Sequence, residues 1–183
     1  MDMASGQAIT SEITVSEVRF IADCMLGKLS RWLRICGFDT LYYRQIRDHD
    51  LLVAAEKEKR VLLTRDHALF KLSRKKNLRA VMIAHDFYED QLKQVFQELD
   101  IQAPPLALGR CLNCNELLRK IDKAEIEHTV PAYVFNTERT FYICPSCRKV
   151  YWRGTHWEQM RRSLERLLGG CCSGTKGESG GRK

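Results

Sequence analysis

Acidic residues follow the apolar segments in the first part of this sequence. Asp23, Asp66 and Asp86 each stand at or just after the end of such a segment, and Asp48 and Asp50 head a helical stretch. The carboxyl ends of parallel strands share one edge of a sheet, which is where open α/β sheets bind ligands. Several carboxylates at one edge repel one another unless a hard cation neutralises them, and such oxygen ligands suit magnesium or manganese. That metal could activate water for in-line displacement at a phosphate.

Each of these carboxylates also has a purely structural interpretation. Asp48 and Asp66 could cap the helices that follow them, and Asp86 could close a turn. Asp23 has the least need of such a role, because it follows a buried strand. Asp23 and Asp66 are therefore the leading candidates for a metal site and Asp48 is the next, while Asp86 and Asp50 remain open.

Four of the eight cysteines form two CxxC pairs, Cys111 with Cys114 and Cys144 with Cys147. Two such pairs can present four thiolates tetrahedrally at about 2.3 Å from a zinc ion, with no open coordination position. Redox-active pairs would be expected at the head of a helix in a thioredoxin-like unit, and neither pair is so placed. The spacing therefore predicts a structural zinc site, which would help a small module to fold.

Basic side chains follow the first acidic residue. The net charge is +7 and the pI is about 9.0, with the excess spread along the chain, which favours an anionic partner such as nucleic acid. Globular domains that bind no nucleic acid can carry the same net charge. Lys28, Arg31 and Arg34 follow Asp23 on the predicted first helix and could lead a phosphate backbone toward a metal.

The motif YWRGTHW at 151–157 places aromatic rings beside cations. Trp152, Arg153 and His156 could bind RNA, since stacking of a base on an aromatic ring is worth roughly 1 to 3 kcal/mol. Trp152 and Trp157 could equally fill a small core. His156 is far from the carboxylates in sequence, which favours a structural or phosphate-contacting role over acid–base chemistry.

The elements that must position these residues alternate regularly. The pattern predicts strands at 18–23, 39–43, 60–66 and 80–85, and helices at 25–36, 49–59, 67–77 and 88–100. Asp48 is expected to cap the second helix. Four such units with near-continuous apolar strands predict an α/β fold, in which a parallel sheet is covered by helices on both sides.

Composition divides the chain into four parts. The predicted boundaries are a disordered lead-in at 1–12, a parallel-sheet domain at 13–105, a zinc ribbon with a terminal helix at 106–168 and a disordered tail at 169–183. Pro104 and Pro105 mark the linker. Short β-rich runs, AYVFN and TFYIC, accompany the cysteines, and the terminal helix is expected from His156 to Leu168. Cys171 and Cys172 in the tail are taken as an incidental exposed pair, with lipidation or redox chemistry as alternatives.

The sequence has no long apolar segment. None approaches the roughly 20 residues that span a bilayer, and the first residues lack the features of a secretory or transit signal. We therefore expect an intracellular protein, cytoplasmic or nuclear, with no membrane partner. In such a reducing compartment a disulfide framework is not expected.

Taken together, the motifs resemble one known family. The segment FIADCMLGKLSRWLRICGFDT, the LLTRD at 62–66, the two CxxC pairs and YWRGTHW are similar to the Mut-seven C-terminal RNase domain family. In that family a PIN-like nuclease domain carries an inserted or appended zinc ribbon. The resemblance covers about residues 18 to 166, which is nearly the whole chain.

The resemblance implies a metal-dependent ribonuclease that cleaves phosphodiester bonds within single-stranded RNA. PIN-like nucleases hold magnesium or manganese with three or four acidic residues, which here match Asp23, Asp66 and Asp48. Where relatives have acidic residues in a row, this chain has Asp48-His49-Asp50, so the second carboxylate is Asp48 or Asp50. The fourth carboxylate is Asp86, Glu89 or Asp90. Some members of the family sit at the end of a larger exonuclease, and this chain would act alone or with a protein partner that the sequence does not identify.

Two other classes of protein remain open. A response-regulator receiver also has aspartates after its first and third strands, although Asp23 lacks the adjacent acidic residue that receivers use. A non-catalytic RNA-binding or ribosome-associated zinc-ribbon module would also explain the cysteines and the basic charge.

Overall fold

Strands and helices alternate in the predicted order in the computed structural model, which describes residues 18–101 and 109–168. The strands are β1 (Arg19–Ala22), β2 (Asp39–Tyr42), β3 (Val61–Thr64) and β4 (Ala80–Met82). The helices are α1 (Gly27–Ile35), α2 (Asp48–Lys57), α3 (His67–Lys75) and α4 (Tyr88–Glu98). The predicted lead-in at 1–12, the linker prolines Pro104 and Pro105, and the tail with Cys171 and Cys172 lie outside the described residues.

The four strands form one parallel sheet in the order β2-β1-β3-β4. Phe20 of β1 is in register with Thr40 of β2 and with Val61 of β3, so β1 lies in the middle of the sheet. Because all four strands run the same way, the residues that follow β1 and β3 emerge side by side. The predicted parallel sheet is confirmed.

Apolar cores cover both faces of the sheet, which explains why its strands read as continuous apolar runs. Phe20 and Leu63 point into a core formed with α1 and α4, and Ile21 and Leu62 point into a second core formed with α2 and α3. All four side chains are fully buried. The prediction of helices on both sides is therefore also confirmed.

The C-terminal part holds a small antiparallel sheet. Its strands β5 (Arg119–Ile121), β6 (Phe141–Ile143) and β7 (Val150–Trp152) lie in the order β5-β6-β7. Two helices accompany it, α5 (Ala132–Thr137) and α6 (Thr155–Leu168).

The predicted β character of AYVFN is wrong, since this segment forms α5. Val134 of this helix is buried beside Phe141, while Tyr133 is 71% exposed. A helix buries one side of this segment against the small sheet and leaves the other in water. The run of β-favouring residues gave the wrong prediction because packing overrides intrinsic propensity.

Helix α6 packs on the large domain rather than on the small sheet alone. Trp157, Leu164 and Leu168 are buried in the same core as residues of α1 and α4. Trp157 is therefore a core residue, but it belongs to the large core and not to the small one that the structural interpretation gave it. The domain boundary after residue 105 remains a prediction. Within the described ranges, no helix is both long and apolar enough to cross a membrane.

Candidate active site and metal centre

The Asp23 carboxylate is held rigidly at the carboxyl edge of the sheet. The residue is 5% exposed, and its Oδ1 accepts a hydrogen bond from the backbone N–H of Met25 at 2.8 Å. Its Oδ2 accepts from the backbone N–H of Arg65 at 3.0 Å and from the hydroxyl of Thr64. These three hydrogen bonds fix the orientation of the side chain.

Thr64 connects Asp23 with Asp66. Its hydroxyl donates to Asp23 and accepts a hydrogen bond from the backbone N–H of Asp66 at 2.9 Å. The two acidic residues follow the directly paired strands β1 and β3, so they are neighbours at one edge. Sequence reasoning missed Thr64, although a threonine that ends an otherwise apolar strand two positions before an aspartate was an available signal.

A tyrosine secures the turn that carries Asp23. The Tyr42 hydroxyl donates to the carbonyl oxygen of Cys24 at 3.1 Å. A Cβ atom on Gly27 would lie 2.8 Å from that hydroxyl oxygen and 2.9 Å from the ring carbon that bears it. A side chain at position 27 would therefore displace the Tyr42 ring at the start of α1.

Asp66 caps α3, as its structural interpretation predicted. Its Oδ1 accepts hydrogen bonds from the backbone N–H groups of Ala68 at 2.6 Å and Leu69 at 3.0 Å. Its Oδ2 accepts none from the described residues, so Asp66 can cap the helix and still offer one oxygen to a cation.

The expectation that Asp48 caps α2 is wrong. The helix begins at Asp48 itself, and Arg47 occupies the cap position without a side-chain hydrogen bond. Asp48 is exposed and has no ion-pair partner among the described residues. Asp50 instead binds Arg47 at 2.8 Å and lies 3.4 Å from His49, and these two hydrogen bonds lower the pKa of its carboxyl.

Asp86 is paired with an arginine. Arg65 donates to its Oδ1 at 2.5 Å, and the Asp86 side chain is 78% exposed. Glu89 and Asp90 lie in the first turn of α4, where Asp90 is 3.7 Å from the ammonium of Lys93.

The carboxylates do not form a closed cage. Among the described residues, the four cysteines are the one group of three or more potential ligands whose ligand atoms all lie within 4.8 Å of one another. Magnesium is commonly held by only one or two carboxylates and keeps several waters. An open pair such as Asp23 and Asp66 fits that chemistry, and the assignment of these residues as metal ligands remains a prediction.

The prediction that Arg34 faces a phosphate backbone is wrong, because its side chain is buried. It is 5% exposed. Its guanidinium donates to the carbonyl oxygens of Thr40 at 2.9 Å and of Leu112 and Asn113 at 3.1 Å each. Burial lowers the pKa of this arginine. The helical pattern placed Arg34 on a polar face because it could not show that the loop at residues 110–115, here called the cysteine loop, covers it.

Lys28 and Arg31 are exposed on α1, as predicted. The Lys28 ammonium lies 4.1 Å from the centre of the Tyr88 ring, and Trp32 stacks on that same ring with centroids 4.9 Å apart. Lys28 is thus held next to an aromatic pair that sequence reasoning did not identify, since its members come from two different helices.

The residues of the YWRGTHW motif differ in exposure. Arg153 and His156 are exposed. Trp152 is partly buried and packs on Phe141 with ring centroids 6.4 Å apart, so much of its ring belongs to the small core. Gly154 permits this, because a Cβ there would lie 2.9 Å from the indole nitrogen of Trp152.

The four cysteines of the two CxxC pairs converge. The sulfur atoms of Cys111 and Cys147 are 3.5 Å apart, and those of Cys114 and Cys144 are 3.4 Å apart. Four sulfurs at about 2.3 Å from a tetrahedral ion would be about 3.8 Å from one another. The thiols are therefore placed to bind a metal such as zinc.

A tyrosine supports this centre. The Tyr151 hydroxyl lies 3.1 Å from the Cys111 sulfur. Burial raises the pKa of the Cys111 thiol, but hydrogen bonds from Tyr151 and from the backbone N–H groups of Cys114 and Asn113 outweigh it and bring the pKa to about 6.

Polar side chains join the cysteine loop to the large sheet. Asn115 binds Asp39 and Thr40 of β2, and Arg60 donates to the Asp39 carboxylate at 2.6 Å. Arg110 donates to the carbonyl oxygen of Gly37 at 3.2 Å. These contacts lie at the amino ends of the strands, opposite the edge that carries Asp23.

Comparison with known proteins supports a ribonuclease-type domain. A search of curated proteins finds no match to the chain. The family model described as the Mut7-C RNAse domain matches residues 18–164, which include Asp23 and Asp66 at the carboxyl edge of the sheet (the acidic edge), helix α1 and all four clustered cysteines. The chain therefore belongs to the Mut7-C RNAse domain family.

Proposed function

We propose that this protein is a magnesium- or manganese-dependent ribonuclease of the PIN-like type that cuts within single-stranded RNA. The observation that carries the proposal is the immobilised Asp23 carboxylate, joined through the Thr64 hydroxyl to Asp66 at the carboxyl edge. Membership of an RNase domain family makes hydrolysis of a phosphodiester bond the chemistry that best explains this arrangement. The proposal places the protein inside the cell, where it meets RNA.

Asp23 and Asp66 would hold the catalytic metal, with Asp48 as the third carboxylate. Asp50 is the weaker candidate, because Arg47 and His49 already bind it, whereas Asp48 projects from the first turn of α2 without such a partner among the described residues. When bound, such a metal polarises the phosphate and favours ionisation of the attacking water. Asp23 would fix the position of the metal, since the hydrogen bonds to its carboxylate prevent the side chain from rotating.

Arg65 and Asp86 would act at the margin of the site. The backbone N–H of Arg65 binds Asp23 while its guanidinium binds Asp86, so this arginine spans two acidic residues. An arginine in this position can exchange an exposed carboxylate for a phosphate oxygen of the substrate. We therefore assign Asp86 to holding Arg65 rather than to binding the metal.

The clustered cysteines would hold a structural zinc ion. The sulfur separations fit tetrahedral coordination by four thiolates, which leaves no position open for catalysis. The hydrogen bonds from Arg34 to the loop between Cys111 and Cys114 suggest that zinc also fixes this loop against the large domain.

A cleavage assay with matched variants tests the nuclease proposal. The purified chain is incubated with end-labelled single-stranded RNA and magnesium or manganese, with calcium as the comparison metal. We expect Asp23→Asn and Asp66→Asn to lower the rate on the order of 100-fold or more while RNA binding persists. Asp100→Asn is the control, because Asp100 is an exposed acid that follows α4 at the opposite edge of the sheet.

Cleavage by Asp23→Asn at the wild-type rate would refute the assignment of the site. A wild-type protein that binds RNA but does not cut it with either metal would instead favour the non-catalytic RNA-binding module. Cleavage of RNA duplexes as fast as of single strands would refute the predicted substrate class.

A further inference from the structure

A cavity lies beside the turn that carries Asp23. It has a volume of about 610 Å³ and is lined by Cys24, Arg44, Gln45, Ile46, Arg47 and Asp50. One wall is the turn after β1 and the other is the loop between β2 and α2. The cavity thus borders the acidic edge on the side away from Thr64 and Asp66, because β2 and β3 flank β1 on opposite sides.

Two guanidinium groups face this cavity. Arg44 is exposed, and within the described part of the chain no group accepts a hydrogen bond from its side chain. Arg47 donates to Asp50 at 2.8 Å, but its side chain is 86% exposed. Exposed ion pairs of this kind contribute little, so Arg47 can exchange Asp50 for a phosphate. The planar fork of arginine suits phosphate oxygens better than the ammonium of lysine does.

Two exposed side chains come from the segments that line the cavity. Tyr43 precedes Arg44 in the chain and is 41% exposed, and Met25 follows Cys24 and is 62% exposed. An exposed aromatic ring beside cations is the arrangement that binds single strands, because bases stack on the ring while the cations neutralise the backbone. Double-stranded nucleic acid would not offer its bases to Tyr43.

We propose that this cavity, which we call the Arg44/Arg47 pocket, binds the phosphodiester backbone of a single-stranded RNA next to Asp23, with a base stacked on Tyr43. This inference rests on the proposed function, because it takes the bound strand to be the substrate of the acidic edge. It places the main electrostatic contact on the loop between β2 and α2, whereas the sequence pattern pointed to the first helix.

The chain offers a matched control for this pocket. A second open cavity of about 610 Å³ on α6 is lined by Arg162, Glu165 and Arg166, which are again two arginines and one acidic residue. Helix α6 follows β7 of the small sheet and contributes nothing to the loops at the carboxyl edge of the large one. Removing these two arginines changes the net charge equally but leaves the proposed pocket intact.

The test is binding of a fluorescent oligouridine RNA to the full chain, measured by anisotropy over a series of salt concentrations without added divalent metal. We expect Arg44→Gln/Arg47→Gln to weaken binding about tenfold or more. It should reduce the slope of log affinity against log salt by about 1.4, which is two phosphate contacts at about 0.7 each. Arg162→Gln/Arg166→Gln should stay within about twofold of the wild type.

Tyr43→Leu separates stacking from charge. It should weaken binding of the single strand by about fivefold or more and leave the salt slope unchanged. A pocket that only collects anions would show no effect of Tyr43→Leu, and equal losses in the two double-arginine variants would show a general charge effect. Either result would overturn the proposal.

Cleavage measured on the same variants separates this inference from the nuclease proposal. If the wild type cuts RNA and Arg44→Gln/Arg47→Gln binds and cuts equally well, the pocket is refuted and the nuclease proposal stands. If binding depends on the pocket but the wild type cuts nothing with either metal, the pocket stands and the nuclease proposal fails.

Discussion

The side-chain amide of Asn115 donates a hydrogen bond to Oδ1 of Asp39 at 2.7 Å, and so joins the cysteine loop to the first residue of β2. The amide oxygen of Asn115 accepts from the backbone N–H of Thr40 at 2.9 Å. Burial raises the pKa of Asp39, but hydrogen bonds from Arg60 and Asn115 outweigh this effect, and the pKa lies below its usual value. One asparagine thus satisfies a donor and an acceptor on the edge strand.

We expect Asn115→Gly to lower the free energy of unfolding by about 1 to 3 kcal/mol, because it leaves the buried N–H of Thr40 without its partner. Asn115 has a φ of 70°, so glycine avoids the backbone strain that alanine would add. Denaturant unfolding measures the change. Asn113→Gly is the control, since Asn113 is exposed and its known contacts use only its backbone, the carbonyl oxygen with Arg34 and the N–H with the Cys111 thiol. Equal stabilities of the two variants would show that the Asn115 side chain contributes nothing to docking.

Arg34→Lys should destabilise the protein by about 2 to 4 kcal/mol although it keeps the charge. A lysine cannot reach three carbonyl oxygens with the geometry of a guanidinium, and carbonyls left unpaired in a buried site are costly. Arg31→Lys on the exposed side of the same helix should stay within about 0.5 kcal/mol of the wild type. Chemical denaturation of the two variants in parallel checks this. An unchanged stability of Arg34→Lys would mean that Arg34 does not hold the loop.

Gly27→Ala should disturb the Asp23 turn. In most helices this change stabilises by up to about 1 kcal/mol, but here the new methyl group would lie 2.8 Å from the Tyr42 hydroxyl oxygen. We expect a net loss of stability and slower RNA cleavage, because displacing Tyr42 frees the carbonyl of Cys24.

The double variant Gly27→Ala/Tyr42→Ala supplies the control for that prediction. Removing the ring removes the clash, so the two changes should cost less together than the sum of the single changes. Strictly additive losses in a double-mutant cycle would show that the two residues are not in conflict.

Removal of the metal from the cysteine centre should loosen the large domain as well as the small sheet. Arg34 binds the cysteine loop, and Asn115 of that loop binds Thr40 of β2, so an unfolded loop leaves Arg34 and Thr40 without these partners. We expect elemental analysis to find one zinc per chain, and chelation to increase amide hydrogen exchange at Thr40. Exchange at Leu62 in the centre of the sheet serves as the internal reference.

Cys147→Ser should reproduce the effect of chelation, with a lower thermal midpoint and the same exchange pattern. Cys24→Ser is the matched control, because the exposed Cys24 thiol is not one of the clustered sulfurs. A metal-free protein with unchanged exchange at Thr40 would contradict the coupling of the centre to the sheet.

Features set by local pattern were predictable from the sequence. The apolar strands and the helices between them required a parallel sheet with both faces covered, and this placed Asp23 and Asp66 at one edge. The two CxxC pairs likewise predicted convergence of Cys111 and Cys144, since short spacings leave few ways to arrange four thiols. In each case neighbours along the chain carry the signal.

Contacts between distant segments were decided only by the tertiary structure. Arg34 lies in a polar helical pattern, yet a loop almost 80 positions away covers it and takes its hydrogen bonds. Residues 132–136 have β-favouring side chains but form a helix, which buries Val134 against Phe141 of the small sheet. A side chain meets water, a carbonyl or a substrate according to the groups that the folded chain places next to it. Spacing along the sequence does not contain that information.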